Sequence, residues 1–161
     1  RHIGLCNFNA VGLAQALETA PVASMQNQFS FLKHEEAESV FAVCRKEHVS
    51  LLAYGPLGGG ILSNKYEAAP EFVKTDARRF FYRHYSTNNG VFERSASIAR
   101  GMAEVGSRHN ATAAQAAIAW VLAHDVVTAA LCGARRPEQI TENALAADLE
   151  LPLQAYSGIP R

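Results

Sequence analysis

Short apolar runs alternate with longer stretches of helical periodicity along this 161-residue chain. Residues 2–7 read as a first strand, and Asn9 is placed to cap a helix that runs to about Thr19. Residues 21–26 read as a second strand. Residues 35–48 then place Ala37, Val40, Phe41 and Cys44 on one helical face. Acids fill the first turn of that helix, and Arg45, Lys46 and His48 its last, which matches the helix dipole. A third strand follows over residues 49–54. Helical periodicity returns over residues 92–108. Thr112 and Gln115 form a capping box for a helix reaching His124. That helix is apolar on most sides, which predicts packing on more than one face. Residues 126–132 form a fourth apolar strand, and residues 137–147 the last long helix.

The pattern is four β-then-α units with one extra helix. Such alternation implies an α/β fold with a parallel sheet covered by helices. A closed (β/α)8 barrel takes about 250 residues. Four units therefore make either a small open sheet or about half a barrel. A loop over residues 55–90 separates the third strand from the next helix. It is rich in Gly, Pro, Asn and aromatics, and connections of that length in compact domains are usually functional lids or disordered. Residues 151–161 form a tail with two prolines and no clear period.

Composition narrows the classes. Hydrophobic residues make up 48% and charged residues 19%, as in a soluble globular domain. Fifteen basic residues balance fifteen acids, so no net field points to nucleic acid or an anionic membrane. No apolar run has the length of a membrane span, and the opening residues read as a strand rather than a secretion signal. Three cysteines without a C-x-x-C pair favour free thiols in a reducing, cytoplasmic compartment. Six histidines lack metal-ligand spacing, so no metal site is expected. The run Arg78 to Tyr85 interleaves bases with aromatics, a combination that can suit single-stranded nucleic acid. Isolated in a chain of zero net charge, it fits a lid over a bound cofactor better.

Candidate chemistry collects at strand ends. After the fourth strand come Gly133, which permits a sharp turn, then Arg135 and Arg136, then Pro137 at a helix start. Free N–H groups, the helix dipole and two guanidinium groups make an anion site suited to a nucleotide phosphate. The bland alternative is a solvated arginine pair. The other strands end in Cys6-Asn7, Asn27-Gln28 and Tyr54-Gly55. Asn and Gln side chains can bind an amide, and a tyrosine ring can stack. The Gly-Pro-Leu-Gly-Gly-Gly run at 55–60 allows close backbone approach, although it is neither G-x-G-x-x-G nor a P-loop. Each feature alone also has a purely structural explanation: a core aromatic, a structural hydrogen bond, a small buried thiol.

Taken in order, these stretches resemble the aldo-keto reductase superfamily. The matching segments are residues 2–8, 26–29, 52–66, 115–122 and 133–143, and the likeness spans residues 1–150. The forms Tyr-Gly-Pro-Leu-Gly and Arg-Pro-Glu-Gln look more like the bacterial, fungal and potassium-channel-β branches than the mammalian aldose reductase branch. The family is a (β/α)8 TIM barrel that binds NADP(H) and reduces aldehydes or ketones. The chain is similar to strands five to eight, the C-terminal half of that barrel.

The resemblance implies a cofactor set. Asn7 and Gln28 would hold the nicotinamide carboxamide, with Cys6 standing where the family usually has a serine. Tyr54 would stack on the nicotinamide. Gly55, Leu57 and Gly58 would line the pyrophosphate through backbone atoms, and Lys65 and Arg78 would clasp phosphates from the lid. Gly133, Arg135, Gln139, Glu142 and Asn143 would bind the adenosine end. Gln139 replaces an arginine that many members have at the 2′-phosphate, a charge that Arg135 or Arg136 would supply instead. The family's catalytic Asp, Tyr, Lys and His belong to the first four strands, to which nothing here corresponds. The expectation is an NADP(H)-binding portion with no catalytic residue of its own, inactive or nearly so alone. A small carbonyl compound would be the substrate of the complete enzyme. The alternative is a non-catalytic nucleotide-binding or interaction module that pairs with a complementary half-barrel or a second copy.

Overall fold

The computed structural model describes residues 1–76, 78 and 91–160. The basic-aromatic run beyond Arg78 and the distal part of the 55–90 loop lie outside the described residues. Four strands are present, β1 (Ile3–Cys6), β2 (Val22–Gln28), β3 (Ser50–Tyr54) and β4 (Val127–Leu131). Five described α-helices accompany them: α1 (Ala10–Thr19), α2 (Ala37–Lys46), α3 (Val91–Ser107), α4 (Ala113–Leu122) and α5 (Pro137–Ala144). The strands form one sheet in the order β1-β2-β3-β4, and every neighbouring pair is parallel. Sequential order with helical crossovers is the topology that four βα units dictate.

Local signals explain the helix starts. The Asn9 side chain accepts the Gly12 N–H at 2.8 Å and so caps α1. At α4 the Thr112 hydroxyl accepts the Gln115 N–H, while Gln115 Oε1 accepts the Thr112 N–H at 2.8 Å. This reciprocal box satisfies two donors that the first turn leaves unpaired. Residues Ala113 to Val121 of α4 are all buried, as its apolar circumference requires. Arg45, near the end of α2, bonds both Glu38 and Asp125, which ties α2 to the loop before β4.

Strand alternation divides the sheet into two faces. Met25, Leu51 and Ala53 are fully buried against the helices. They join Leu13, Met102 and Val121 in the main core. An aromatic group closes one end of that core. Phe29 stacks on Trp120 at 5.1 Å, and His124 lies edge-on to Trp120 at 4.5 Å. The opposite face carries Gln26, Gln28, Leu52 and Tyr54, each only partly covered. In a closed barrel such a face is the packed interior. Four strands cannot close, so β1 and β4 remain edges, with Ile3 48% and Leu131 39% exposed.

Several sequence expectations are corrected. Residues 151–160 are not an aperiodic tail but part of the packed structure. Leu151, Tyr156 and Ile159 are buried in the main core, and the Tyr156 hydroxyl donates to Ala116 O at 2.8 Å. A 3-10 turn at Leu153–Tyr156, opening after Pro152, spaces these residues in a way that no helical or strand period matches. The last long helix is α-helical only to Ala144, and Leu145–Asp148 tightens into a 3-10 turn that buries Ala146. The start of the 55–90 loop is likewise ordered, as short 3-10 turns within Gly58–Ser63 that are broken by a kink at Gly59 and Gly60.

Candidate cofactor site

Parallel strands deliver their carboxyl ends to one rim of the sheet, where the polar strand-end residues meet. The register sets Cys6 beside Gln26, and Gln28 beside Tyr54, which is in turn beside Leu131. Asn7 follows β1 with a φ of 59°, a left-handed conformation that Asn adopts more readily than most residues. Its N–H donates to Gln26 O and to Asn27 Oδ1, both at 3.0 Å. Its own Oδ1 accepts the Tyr54 hydroxyl at 3.0 Å. The structure therefore brings Asn7 and Tyr54 into contact across the end of β2. A cleft of ≈ 730 Å³ reaches this rim from the helix-covered side of the sheet, lined by Asn7, Asn27, Gln28 and Tyr54 at the rim and by Lys33, Glu36, Val40, Phe41 and Leu51 behind it. Cys6, the residue before Asn7, is exposed and does not line the cleft.

The glycine run forms a tight coil beyond Tyr54. Gly55, Gly58, Gly59 and Gly60 all have positive φ, between 55° and 100°. The φ of 55° at Gly58 favours glycine, and a Cβ there, 2.7 Å from Leu32 Cδ1, would also require the Leu32 side chain to shift. The Gly58 N–H donates to Gly55 O at 3.0 Å, so that group is engaged within the turn itself. Lys65 folds back over this coil, with Nζ 5.0 Å from the centre of the Tyr66 ring.

Arg78 is more constrained than a freely reaching lid residue. Its guanidinium bonds the Asp76 carboxylate through Nε and Nη2, contacts the Tyr66 hydroxyl at 3.4 Å and covers the Phe72 ring at 4.3 Å. Hydrogen bonding from Arg78 is the main cause that holds the Asp76 carboxyl down at about 2, and the positive charge of Arg135 is the smallest contribution to that shift. Asp76 thus lies within the field of Arg135, in the turn after β4. Asp76 was not legible in the sequence, because its only signal is an i, i+2 spacing from an arginine in an aperiodic loop.

The corner after β4 differs from its expected form. Gln139 Oε1 accepts the N–H groups of Arg135 at 2.8 Å and Arg136 at 3.2 Å. These two donors are therefore not free for an anion, as the sequence had suggested. A side chain one turn into the helix reaches back to satisfy them, as helix starts favour. What remains for a ligand is the pair of exposed guanidinium groups and the positive end of α5. Glu142 accepts the Thr112 hydroxyl at 2.9 Å, which ties α5 to the start of α4. Asn143 lines a groove of ≈ 390 Å³ between β4 and α5, with Ile140 and Cys132. Burial pushes the Cys132 thiol up to about 11, so it stays protonated. Gly133 has open space around its Cα.

Among the described residues, no cluster of three or more His, Cys, Asp or Glu side chains could hold a metal ion. No described helix is long and apolar enough to cross a membrane.

Residues 1–160 match the Aldo/keto reductase family. The chain is 29% identical over 162 residues to the aldo-keto reductase str7 of Strobilurus tenacellus, covering 99% of this chain and 47% of that protein. It is 30% identical over 154 residues to an aldo-keto reductase of Gibberella moniliformis, covering 94% and 46%. With the aldo-keto reductase yakc [NADP(+)] of Schizosaccharomyces pombe the identity is 28% over 146 residues, covering 89% and 42%. Among solved structures, a glycerol dehydrogenase from Gluconobacter oxydans superposes with a TM-score of 0.84 at 23% identity, covering 99% of this chain and 47% of that one. A thermostable aldo-keto reductase solved with the inhibitor epalrestat gives 0.68 at 23%, covering 98% and 46%. The chain spans about half the length of the relatives it matches, which agrees with four βα units of an eight-unit barrel. From its residue pattern, its parallel sheet and this match, the chain belongs to the aldo/keto reductase family.

Proposed function

We propose that this chain is the NADP(H)-holding, C-terminal half of an oxidoreductase that reduces small aldehydes or ketones by hydride transfer. The observation that carries the reading is the convergence of Asn7, Gln28 and Tyr54 on one rim, with Tyr54 bonded to Asn7. That bond occupies Asn7 Oδ1 and leaves Nδ2 as the side-chain donor for a ligand carbonyl. Gln28, one strand over, offers both a donor and an acceptor. The donor set fits a primary carboxamide such as that of nicotinamide. The Tyr54 ring, anchored through its hydroxyl, offers a fixed stacking surface beside it. At the other end, Arg135 and Arg136 supply positive charge for a 2′-phosphate, and Glu142 and Asn143 offer polar groups to an adenine. Lys65 and Arg78 lie on the loop between these two ends. A bound NADPH would supply the hydride. The contribution of this chain is to hold and orient the nicotinamide, which is the positioning part of catalysis. The proton-donating residues of the family have no counterpart among these residues.

Titration of the purified chain with NADPH and NADH tests this reading. The expected result is saturable binding that favours NADPH, with no turnover of an aromatic aldehyde. Absence of binding, or turnover at a rate typical of enzymes, overturns it.

A second reading is favoured by the two open sheet edges. Exposed edges and an uncovered interior face are hazards unless paired. A complementary half-barrel or a second copy of the chain would cover them, and the chain would then serve as a binding module. Sizing in solution separates the cases: a folded, soluble monomer at high concentration counts against pairing.

A further inference from the structure

We infer that Asn27 is a positioning residue for the nicotinamide end of the site, acting only through Asn7; this rests on the cofactor reading above. Asn27 alternates with Gln28 along β2, so the two side chains leave opposite faces of the sheet. Gln28 belongs to the face that carries Tyr54, and Asn27 to the face that carries Met25. From there Asn27 reaches the chain just beyond β1 at two points. Its Oδ1 accepts the Asn7 N–H at 3.0 Å, and its Nδ2 donates to Phe8 O at 3.0 Å.

These two bonds span the one place where the chain needs them. β1 pairs with β2 only as far as Cys6 opposite Gln26. Beyond it the chain turns through Asn7 at a φ of 59° and enters α1 at Asn9. Residues 7 and 8 are exposed; the Asn7 N–H keeps one backbone bond to Gln26 O at 3.0 Å, and the Asn27 carboxamide adds a second acceptor there and the hold on Phe8 O. A left-handed residue is sparsely populated unless its surroundings fix it. One carboxamide that holds the N–H of residue 7 and the carbonyl of residue 8 pins the peptide units that flank the Asn7-Phe8 pair, 6–7 and 8–9, and so limits the backbone angles between them. The direction of the Asn7 side chain follows from those angles. Asn7 Oδ1 can then meet the Tyr54 hydroxyl, and both groups face the ligand in one arrangement.

The test compares ligands that use different ends of the site. Asn27→Ala removes both bonds. Asn27→Asp keeps an acceptor for the Asn7 N–H and loses the donor to Phe8 O. NADPH and adenosine 2′,5′-bisphosphate are titrated against the wild-type chain and both variants, alongside hydrogen exchange at the Asn7 amide. The expected result is a five- to tenfold loss of NADPH affinity in Asn27→Ala and a smaller loss in Asn27→Asp. Affinity for the bisphosphate, which lacks the nicotinamide, stays unchanged, and exchange at Asn7 accelerates. Unchanged NADPH affinity in Asn27→Ala overturns the inference while leaving the cofactor reading intact. An equal loss for both ligands also overturns it, since that is the mark of general destabilisation. A wild-type chain that binds neither ligand overturns the cofactor reading itself, and the inference with it.

Discussion

Replacement of Gln139 by glutamate should move stability and cofactor preference in opposite directions. Gln139 Oε1 accepts two backbone N–H groups at 2.8 and 3.2 Å at the start of α5. A carboxylate accepts the same two bonds with charge assistance and sits at the positive end of the helix dipole, worth about 0.3–1 kcal/mol. Gln139 is half-buried among exposed neighbours, so the middle of that range applies. Glu142, three residues on, repels the new charge by about 0.2–0.5 kcal/mol. Arg135 and Arg136 offset that repulsion. The net gain is about 0.5 kcal/mol, or a rise of about 1–2 °C in Tm for a chain of this length. The same charge stands beside the two guanidinium groups proposed to meet a 2′-phosphate. Like charges a few ångströms apart in water cost about 1 kcal/mol, or about fivefold in affinity. NADPH binding should weaken by that factor while NADH binding, with no 2′-phosphate, should hardly change. Differential scanning calorimetry and parallel titrations of both nucleotides read the two effects. A lower Tm would refute the capping role of Gln139. An unchanged NADPH-to-NADH ratio would refute the placement of the 2′-phosphate.

Two further predictions follow from the core. Tyr156→Phe deletes a buried hydroxyl that donates to Ala116 O at 2.8 Å. The loss is about 1 kcal/mol, read as a fall of about 2–4 °C in Tm; no change would mean that the C-terminal residues are not docked on α4. Burial lowers the His124 pKa below its ordinary 6.5, with His34 adding to the shift and backbone bonds to Trp120 and Val121 opposing it. The unfolded chain therefore takes up this proton first, and stability should fall as pH drops below about 6.5. Urea midpoints at pH 7.5 and 5.5 should fall more steeply in the wild type than in His124→Asn; equal falls would contradict it.

The fold was legible because the strong signals were local. The box at Thr112 and Gln115, the apolar circumference of α4 and the polar ends of the strands each follow from a few neighbouring residues. The site was legible only as a set of residue types. Gln28 and Tyr54 end adjacent strands, but that Tyr54 reaches past β2 to Asn7 depends on a parallel register that no single segment contains. Gln139 was read as a ligand residue, and the structure gives it a backbone duty first, because the reach of a side chain back over a helix start is not visible in composition. Tyr156 was missed because burial by a 3-10 turn leaves no period to read.

The most direct measurement of the central claim maps the two ends of the cofactor separately onto the chain by amide NMR. With NADPH, shifts are expected at both Asn7, Gln28 and Tyr54 and at Arg135, Arg136 and Asn143. With adenosine 2′,5′-bisphosphate, only the second group should move. Shifts confined to one group with NADPH, or the same residues moving with both ligands, would contradict a site that holds the nicotinamide at the strand ends and the phosphate at the start of α5.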